Sequence, residues 1–217
     1  MSGFDRRDPL ARPTSEELDV LDLRAYERVR DDYRRRVIEL KRRRRVALGP
    51  ILTTVFECVD TVRFQVQEMA RAERLVSDEA IQHELDVYNR LLPGEGELSA
   101  TLFVELTTED QLRHWLPRLV GIERALAFEL GEPVDTVVPS VPEATHAEAL
   151  TREDVTTAVH YVRFAFPPGA RARLAGDGPV ALAVRHPQYE AVTALAPEVR
   201  AELARDLEGR TVPIPFG

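Results

Sequence analysis

The stretch that decides the fold lies at residues 156–166 and reads TTAVHYVRFAF. It is rich in β-branched and aromatic residues, which predicts a β-strand. Further strands are predicted on both sides of it, at residues 51–57, 97–106, 124–130 and 179–185. The helical patterns between them lack the regular strand–helix alternation of a parallel α/β protein. We therefore predict an α+β fold with a mixed or mostly antiparallel sheet.

A long N-terminal helix is predicted over residues 22–44. Its apolar stripe at helical spacing consists of Tyr26, Val29, Tyr33, Val37 and Leu40. Arg44 falls on the same stripe. Two shorter helices follow, one capped by Asp60 or Thr61 and one by Ser77 or Asp78, and the short turn between them predicts a helical hairpin. A capping box at Thr108 predicts a helix that ends near Gly121, and Pro197 opens a last helix over 197–208.

Four segments organise the chain. Residues 1–13 are predicted to be a flexible tail, and 14–132 an N-terminal α+β part that opens with a capping box at its first residues. Residues 133–146 contain three prolines and are interpreted as a crossing or linker with one edge strand. Residues 147–217 form a C-terminal β-rich part with the last helix. We expect these parts to pack as one globular unit.

Composition excludes several classes of protein. Hydrophobic residues make up 44% of the chain and charged residues 30%, which is typical of a globular protein. No apolar run is long enough to span a bilayer, and the polar N-terminal residues do not resemble a signal peptide. The single cysteine, Cys58, excludes an internal disulfide framework and a multi-cysteine metal site. We expect a cytoplasmic protein without a membrane interaction.

Three acidic residues of the hairpin form the one constellation that predicts chemistry. Glu68, Glu73 and Glu84 are placed near the apolar side of the two hairpin helices, with Tyr88 beside them. Carboxylates in an apolar interface are costly unless they pair with a cation. One interpretation pairs them with arginines, chiefly Arg44 and also Arg71 or Arg74, and we favour it. The other makes them ligands of iron, manganese or zinc, or an acid/base pair, with Arg44 or Arg71 binding an anionic substrate.

The charge is unevenly distributed along the chain. The net charge is −8, yet residues 33–45 read YRRRVIELKRRRR and contain eight basic residues against one acid, Glu39. This basic segment, 34–45, includes Lys41, Arg42, Arg43 and Arg44 and predicts a surface for an acidic partner or an anion. Nucleic-acid binding is a weaker interpretation, because the rest of the chain is acidic and no aromatic residues interleave with the arginines. A solvated, dipole-complementing helix end is the structural alternative, and we favour it over nucleic-acid binding.

Long stretches of the sequence resemble a known family. They include RRRVIELKRRRRVALGP, FECVDTVRFQVQEMARAER, IQHELDVYNRLLPGEGELSATLFVEL and VALAVRHPQYEAVTALAPEVRAELARDL. These stretches are similar to an uncharacterised bacterial family defined only as a domain of unknown function, and the resemblance covers most of residues 14–208.

The resemblance implies a metabolic context for the protein but no specific reaction. Genes of this family often stand beside those for rubrerythrin-like proteins and iron–sulfur or heterodisulfide-reductase-like oxidoreductases. It therefore implies an accessory or binding protein in an iron or redox-stress pathway, with such a protein as partner and a symmetric homodimer as an expected assembly. A metal-dependent or carboxylate-based enzyme using the three glutamates is the alternative.

Overall fold

The computed structural model describes residues 20–143, 155–210 and 213–216. By the contacts between residues, the chain divides into two compact units. Within the described ranges, one unit comprises residues 20–42, 57–92 and 213–216, and we call it the helical unit. The second comprises residues 43–56, 93–143 and 155–210, and we call it the sheet unit. The predicted boundary at 133–146 and the packing of the whole chain as one unit stay predictions.

Three helices make up most of the helical unit. They are α1 (Leu23–Arg42), α2 (Val59–Glu73) and α3 (Asp78–Tyr88), and a 3₁₀ turn at Asn89–Leu91 follows the last of them. The Ser77 hydroxyl accepts a hydrogen bond from the amide of Ala80 and so caps α3, as predicted. Helix α2 packs against both α1 and α3. The long N-terminal helix and the helical hairpin are confirmed.

Two details of these helices differ from the prediction. Helix α1 buries Tyr26, Tyr33, Val37 and Leu40, as its stripe predicts, but it ends at Arg42, so Arg44 lies in the following turn and not on the helix. Helix α2 has Cys58 at its N-cap position rather than Asp60 or Thr61. The Thr61 hydroxyl, one turn into the helix, accepts the hydrogen bond of the Cys58 amide at 2.9 Å.

Nine short strands in two sheets form the framework of the sheet unit. The strands are β1 (Arg45–Leu48), β2 (Leu52–Glu57, whose last residue groups with the helical unit), β3 (Glu97–Val104), β4 (Leu126–Leu130), β5 (Thr136–Pro139), β6 (Val141–Pro142), β7 (Val159–Ala165), β8 (Val180–His186) and β9 (Tyr189–Ala194). The five-stranded sheet has the order β1-β2-β3-β7-β6, and the four-stranded sheet has the order β5-β4-β8-β9. The strand pairs β1–β2, β3–β7, β4–β8 and β8–β9 are all antiparallel. The α+β class with mostly antiparallel pairing is confirmed.

One apolar core joins the two sheets to the helices of this unit, which are α4 (Glu109–Trp115), α5 (Pro168–Ala175) and α6 (Pro197–Leu207). Four buried aromatic rings lie at its centre, with centroids 4.9–6.1 Å apart, and belong to Phe56, Phe128, Phe164 and Phe166. Burial of each ring contributes about 1.5–3 kcal/mol to the free energy of unfolding. This core, rather than any charged pair, holds the two sheets together.

Several elements of the sheet unit lie outside the predicted set. Strands β1 and β9 were not predicted, although both alternate buried and exposed residues. Helix α4 ends at Trp115 and not near Gly121, which instead precedes a 3₁₀ turn at Ile122–Arg124. The stretch interpreted as a crossing with one edge strand contains two, β5 and β6. The predicted tail 1–13, the capping box at Thr14 and residues 144–154 lie outside the described residues.

No helix in the described ranges is long and apolar enough to cross a membrane.

Candidate functional site

Glu68 is the most strongly bound of the three predicted acids. Its carboxylate accepts hydrogen bonds from the Tyr26 hydroxyl at 2.7 Å and from two guanidinium nitrogens of Arg30, each at 2.8 Å. The pair is half-buried, with Arg30 at 23% and Glu68 at 27% side-chain exposure. Arg30, rather than the predicted Arg44, therefore neutralises this carboxylate.

These bonds determine the ionisation of the cluster. Burial acts to raise the pKa of Glu68, but the hydrogen bonds from Arg30 and Tyr26 outweigh it and hold the pKa below its usual range. Burial, followed by the hydrogen bond to Glu68, raises the pKa of Tyr26 far above its usual value. A carboxylate that accepts three hydrogen bonds and has a lowered pKa is a poor general acid or base near neutral pH.

The other two predicted acids are Glu73, the last residue of α2, and Glu84, on α3. Glu73 is exposed and Glu84 is half-buried, so the predicted direction of Glu73 into an apolar interface is wrong. Burial raises the pKa of Tyr88; a hydrogen bond with Gln65 opposes this shift, and the charges of Glu84 and Glu73 add to it. Arg71 pairs with Glu27 at 2.6 Å. Among the described residues, no group of three or more histidine, cysteine or acidic side chains is arranged to hold a metal ion, and a metal-binding role stays a prediction.

Most of the basic segment is neutralised by partners within the chain. Arg44 is fully buried, and its guanidinium donates two hydrogen bonds to the Asp206 carboxylate at 2.6 and 2.8 Å. Its neighbours are occupied as well: Arg42 with Glu39, Arg43 with Glu202, Arg45 with Glu105, and the Lys41 ammonium 5.7 Å from the ring centre of Phe64. The structural interpretation of this segment fits these contacts better than a free basic surface.

A different set of arginines lines a surface depression of about 440 Å³ on the helical unit. Its lining residues are Arg28, Val29, Asp32, Arg35, Arg36 and Phe216. Five of them lie on one face of α1, because the other four are each three or four residues from Asp32. Arg28 and Arg35 are exposed, and Arg35 pairs with the exposed Asp32. An exposed pair of this kind contributes little to stability, so Arg35 can exchange Asp32 for an external anion.

The C-terminal segment 213–216 completes this surface. Arg36 donates a hydrogen bond to the carbonyl of Phe216 at 2.8 Å. Asp60 of α2 accepts the amide hydrogen of Ile214 at 2.9 Å, and Arg63 donates to the carbonyl of the same residue at 3.4 Å. The docking of this segment on α1 and α2 was not predicted from the sequence. The sequence signal that could have indicated this docking is the alternation of prolines with large apolar residues in Pro-Ile-Pro-Phe.

A buried histidine forms a separate polar cluster in the sheet unit. The Nε2 atom of His160 lies 3.0 Å from the Thr157 carbonyl oxygen and 3.0 Å from the Thr156 hydroxyl, and Nδ1 lies 3.9 Å from Glu123 Oε2. A carbonyl oxygen only accepts, so Nε2 carries a proton and donates it. Nε2 therefore cannot serve as a base for the Thr156 hydroxyl. Burial lowers the pKa of His160, and the Glu123 charge opposes this shift.

These features define an α+β protein with a two-sheet core, ion-paired carboxylates and an arginine-lined depression on its helical unit. The chain belongs to the family described as "Protein of unknown function (DUF3501)", whose model matches residues 15–207. This result confirms the predicted resemblance to a family of unknown function. No curated protein matches the chain.

A solved structure supports the same assignment. It is a protein of unknown function from Burkholderia pseudomallei, 35% identical in sequence, with a TM-score of 0.79. The match covers 89% of the present chain and 98% of that protein. The fold is therefore shared along nearly the whole length of both chains.

Proposed function

We propose that this protein is an accessory protein that binds an acidic segment of a partner protein at the arginine-lined depression of α1. The observation that carries the proposal is the position of Arg28, Arg35 and Arg36 around one depression. Arginine is well suited to bind carboxylates, since its planar guanidinium can donate two parallel hydrogen bonds. The apolar side chain of Val29 adds contact surface beside these charges.

The proposed binding surface lies nearer the N-terminal end of α1 than the predicted one. The basic segment 34–45 was predicted to meet the partner, and Arg35 and Arg36 belong to it. The residues at its other end, Arg43 and Arg44, already bind carboxylates of α6. An external anion would have to displace these internal partners, which is most costly at the fully buried Arg44.

The class of partner follows from the resemblance described above. We propose a rubrerythrin-like or iron–sulfur protein as the partner and a role in iron or redox metabolism. An acidic protein surface fits the depression better than a long nucleic acid. The basic patch is short, Asp32 lies among its arginines, Asp31 is exposed next to it, and the chain has a net charge of −8.

The test is a calorimetric titration of the full chain with the rubrerythrin-like and iron–sulfur proteins of the same genome, at low and moderate salt. The Arg28→Ser/Arg35→Ser variant is expected to bind about tenfold more weakly, at about two- to fivefold for each exposed ion pair lost. Arg24→Ser is the matched control, because Arg24 is an exposed arginine of α1 that does not line the depression. A complex that the double variant forms as tightly as the control variant contradicts the proposal.

A further inference from the structure

The segment 213–216 lies on the helical unit in the way that an extended peptide lies on a binding protein. Its side chains alternate: Pro213 and Pro215 are exposed, whereas Ile214 and Phe216 are half-buried. The two half-buried side chains join the apolar cluster of Tyr26, Tyr33 and Val37. Two anchors separated by one outward-facing residue are typical of extended-peptide recognition.

The main chain of the segment is recognised as well. Asp60 and Arg63 bind the amide and the carbonyl of Ile214, so both polar backbone groups of this one residue have partners. The flanking prolines have no N–H group and need no acceptor. Asp60 and Arg63 are 1% and 3% exposed and lie 3.4 Å apart, so they form a buried polar pair that binds the peptide backbone.

An aromatic subsite holds the second anchor. The ring of Phe216 lies 4.6 Å from that of Tyr33, and the guanidinium of Arg63 lies 5.5 Å from the centre of the Phe216 ring. Ring–ring and cation–π contacts of this kind select an aromatic side chain over an aliphatic one. The bound segment therefore indicates which peptides this surface binds. They are extended, with an aliphatic residue between two prolines and an aromatic residue two positions after the aliphatic one.

We propose that this surface of α1 and α2, which we call the peptide site, also binds a segment of this chemistry from the partner protein, and that residues 213–216 occupy it in cis until they are displaced. The peptide site continues into the arginine-lined depression, because Phe216 lines that depression and its carbonyl binds Arg36. The identity of the occupant therefore rests on the proposed function: an acidic partner held by the arginines would place its neighbouring apolar residues in the peptide site.

The first experiment empties the site without shortening the chain. The Ile214→Ser/Phe216→Ser variant of the full chain is titrated with an acetylated and amidated peptide of the sequence TVPIPFG. Saturable binding is expected, and a peptide with serine in place of phenylalanine should bind about tenfold more weakly or worse, because it does not bury the ring. Adding Arg28→Ser/Arg35→Ser should leave this binding unchanged, since the peptide carries no charge. Binding of this uncharged peptide therefore tests the peptide site separately from the arginine-lined depression.

The second experiment uses the unaltered chain, in case the double variant does not fold. An excess of the same peptide should shift the amide resonance of Ile214 in labelled protein toward its free position as the cis segment is displaced. A peptide extended by three glutamates after the glycine should bind about two- to fivefold more tightly for each ion pair formed, and Arg28→Ser/Arg35→Ser should abolish this gain. A site that takes no peptide in either chain overturns the inference. Displacement of the segment only by a second copy, at rising protein concentration, overturns the assignment of the occupant.

Discussion

Two groups of arginines that lie close together in the sequence have opposite environments. Arg43 and Arg44 follow the end of α1 and bind Glu202 and Asp206, whose side chains are 8% and 4% exposed. Arg28 and Arg35, on α1 itself, remain exposed beside a surface depression. The first group contributes to the fold, whereas the second is exposed to solvent.

The difference teaches that local net charge does not identify a binding surface. The carboxylates that neutralise Arg43 and Arg44 come from α6, 159 and 162 residues further along the chain. A window of sequence contains the arginines but not these partners. Burial at the turn then makes the Arg44 pair a structural element, whereas solvent screens the pairs on α1.

The largest effect is expected for Arg44→Ala. The substitution leaves the carboxylate of Asp206 buried, at 4% exposure, without its guanidinium. Removing one partner of a buried ion pair typically lowers the free energy of unfolding by about 3–5 kcal/mol. Urea denaturation measures the change. Arg42→Ala, at an exposed pair two residues earlier, is the control and should cost less than about 1 kcal/mol. An equal loss of stability in the two variants would mean that burial does not determine how much an arginine pair contributes to the fold.

An intermediate effect is expected for Glu68→Gln. The variant loses the charge that Arg30 binds in a half-buried pair and should be destabilised by about 1–3 kcal/mol at neutral pH. Because the pKa of Glu68 in the folded state lies below the unfolded value of 4.5, the ionised carboxylate stabilises the fold above that pH. This stabilisation is lost as the pH falls through the folded pKa. Denaturation curves of wild type and variant should therefore converge in acid, and a gap that persists there contradicts the assignment.

A smaller effect with the same sign is expected at His160. Burial lowers the pKa of this base from 6.5, so the unfolded chain takes up its proton at a higher pH than the folded chain does. Stability is therefore retained above about pH 6.5 and declines as the pH falls toward the folded pKa, with a slope that cannot exceed about 1.4 kcal/mol per pH unit. His160→Gln should flatten this part of the pH profile, and His114→Gln provides the same exchange at an exposed position. An unchanged slope in His160→Gln would exclude this origin.

The smallest effect is expected for Arg28→Ser/Arg35→Ser. The only ion pair it removes in the described part of the chain is the exposed one between Arg35 and Asp32. The free energy of unfolding should change by less than about 1 kcal/mol, even though partner binding is expected to weaken. Thermal denaturation measures it. A loss as large as that of Arg44→Ala would mean that the α1 arginines belong to the fold as well.

Periodicity predicted the parts of the fold whose signals are local. The stripe containing Tyr26, Tyr33 and Val37 located α1, and the Thr108 capping box located the start of α4. Strand β1 was missed because its residues continue the arginine run of α1, and the helix stops only where antiparallel pairing of Arg45 with Val55 begins. This competition between helix and sheet is decided by a partner strand that a local pattern does not contain.

The candidate site was less accessible from the sequence for the same reason. Glu68 was singled out as an acid near the apolar side of its helix, but its partner Arg30 lies on α1, 38 residues earlier. The docking of Ile214 depends on Asp60 and Arg63, more than 150 residues away. Helical spacing relates side chains within one element, and neither contact lies within one element.

Ser140 has a mechanical consequence. The chain passes from β5 of one sheet to β6 of the other with this single residue between them. Its amide donates to the carbonyl of Leu126 and its hydroxyl to the carbonyl of Glu123. A displacement of one sheet relative to the other would stretch this one-residue connection and its two hydrogen bonds. Ser140 therefore couples the two sheets mechanically at this point of the sheet unit.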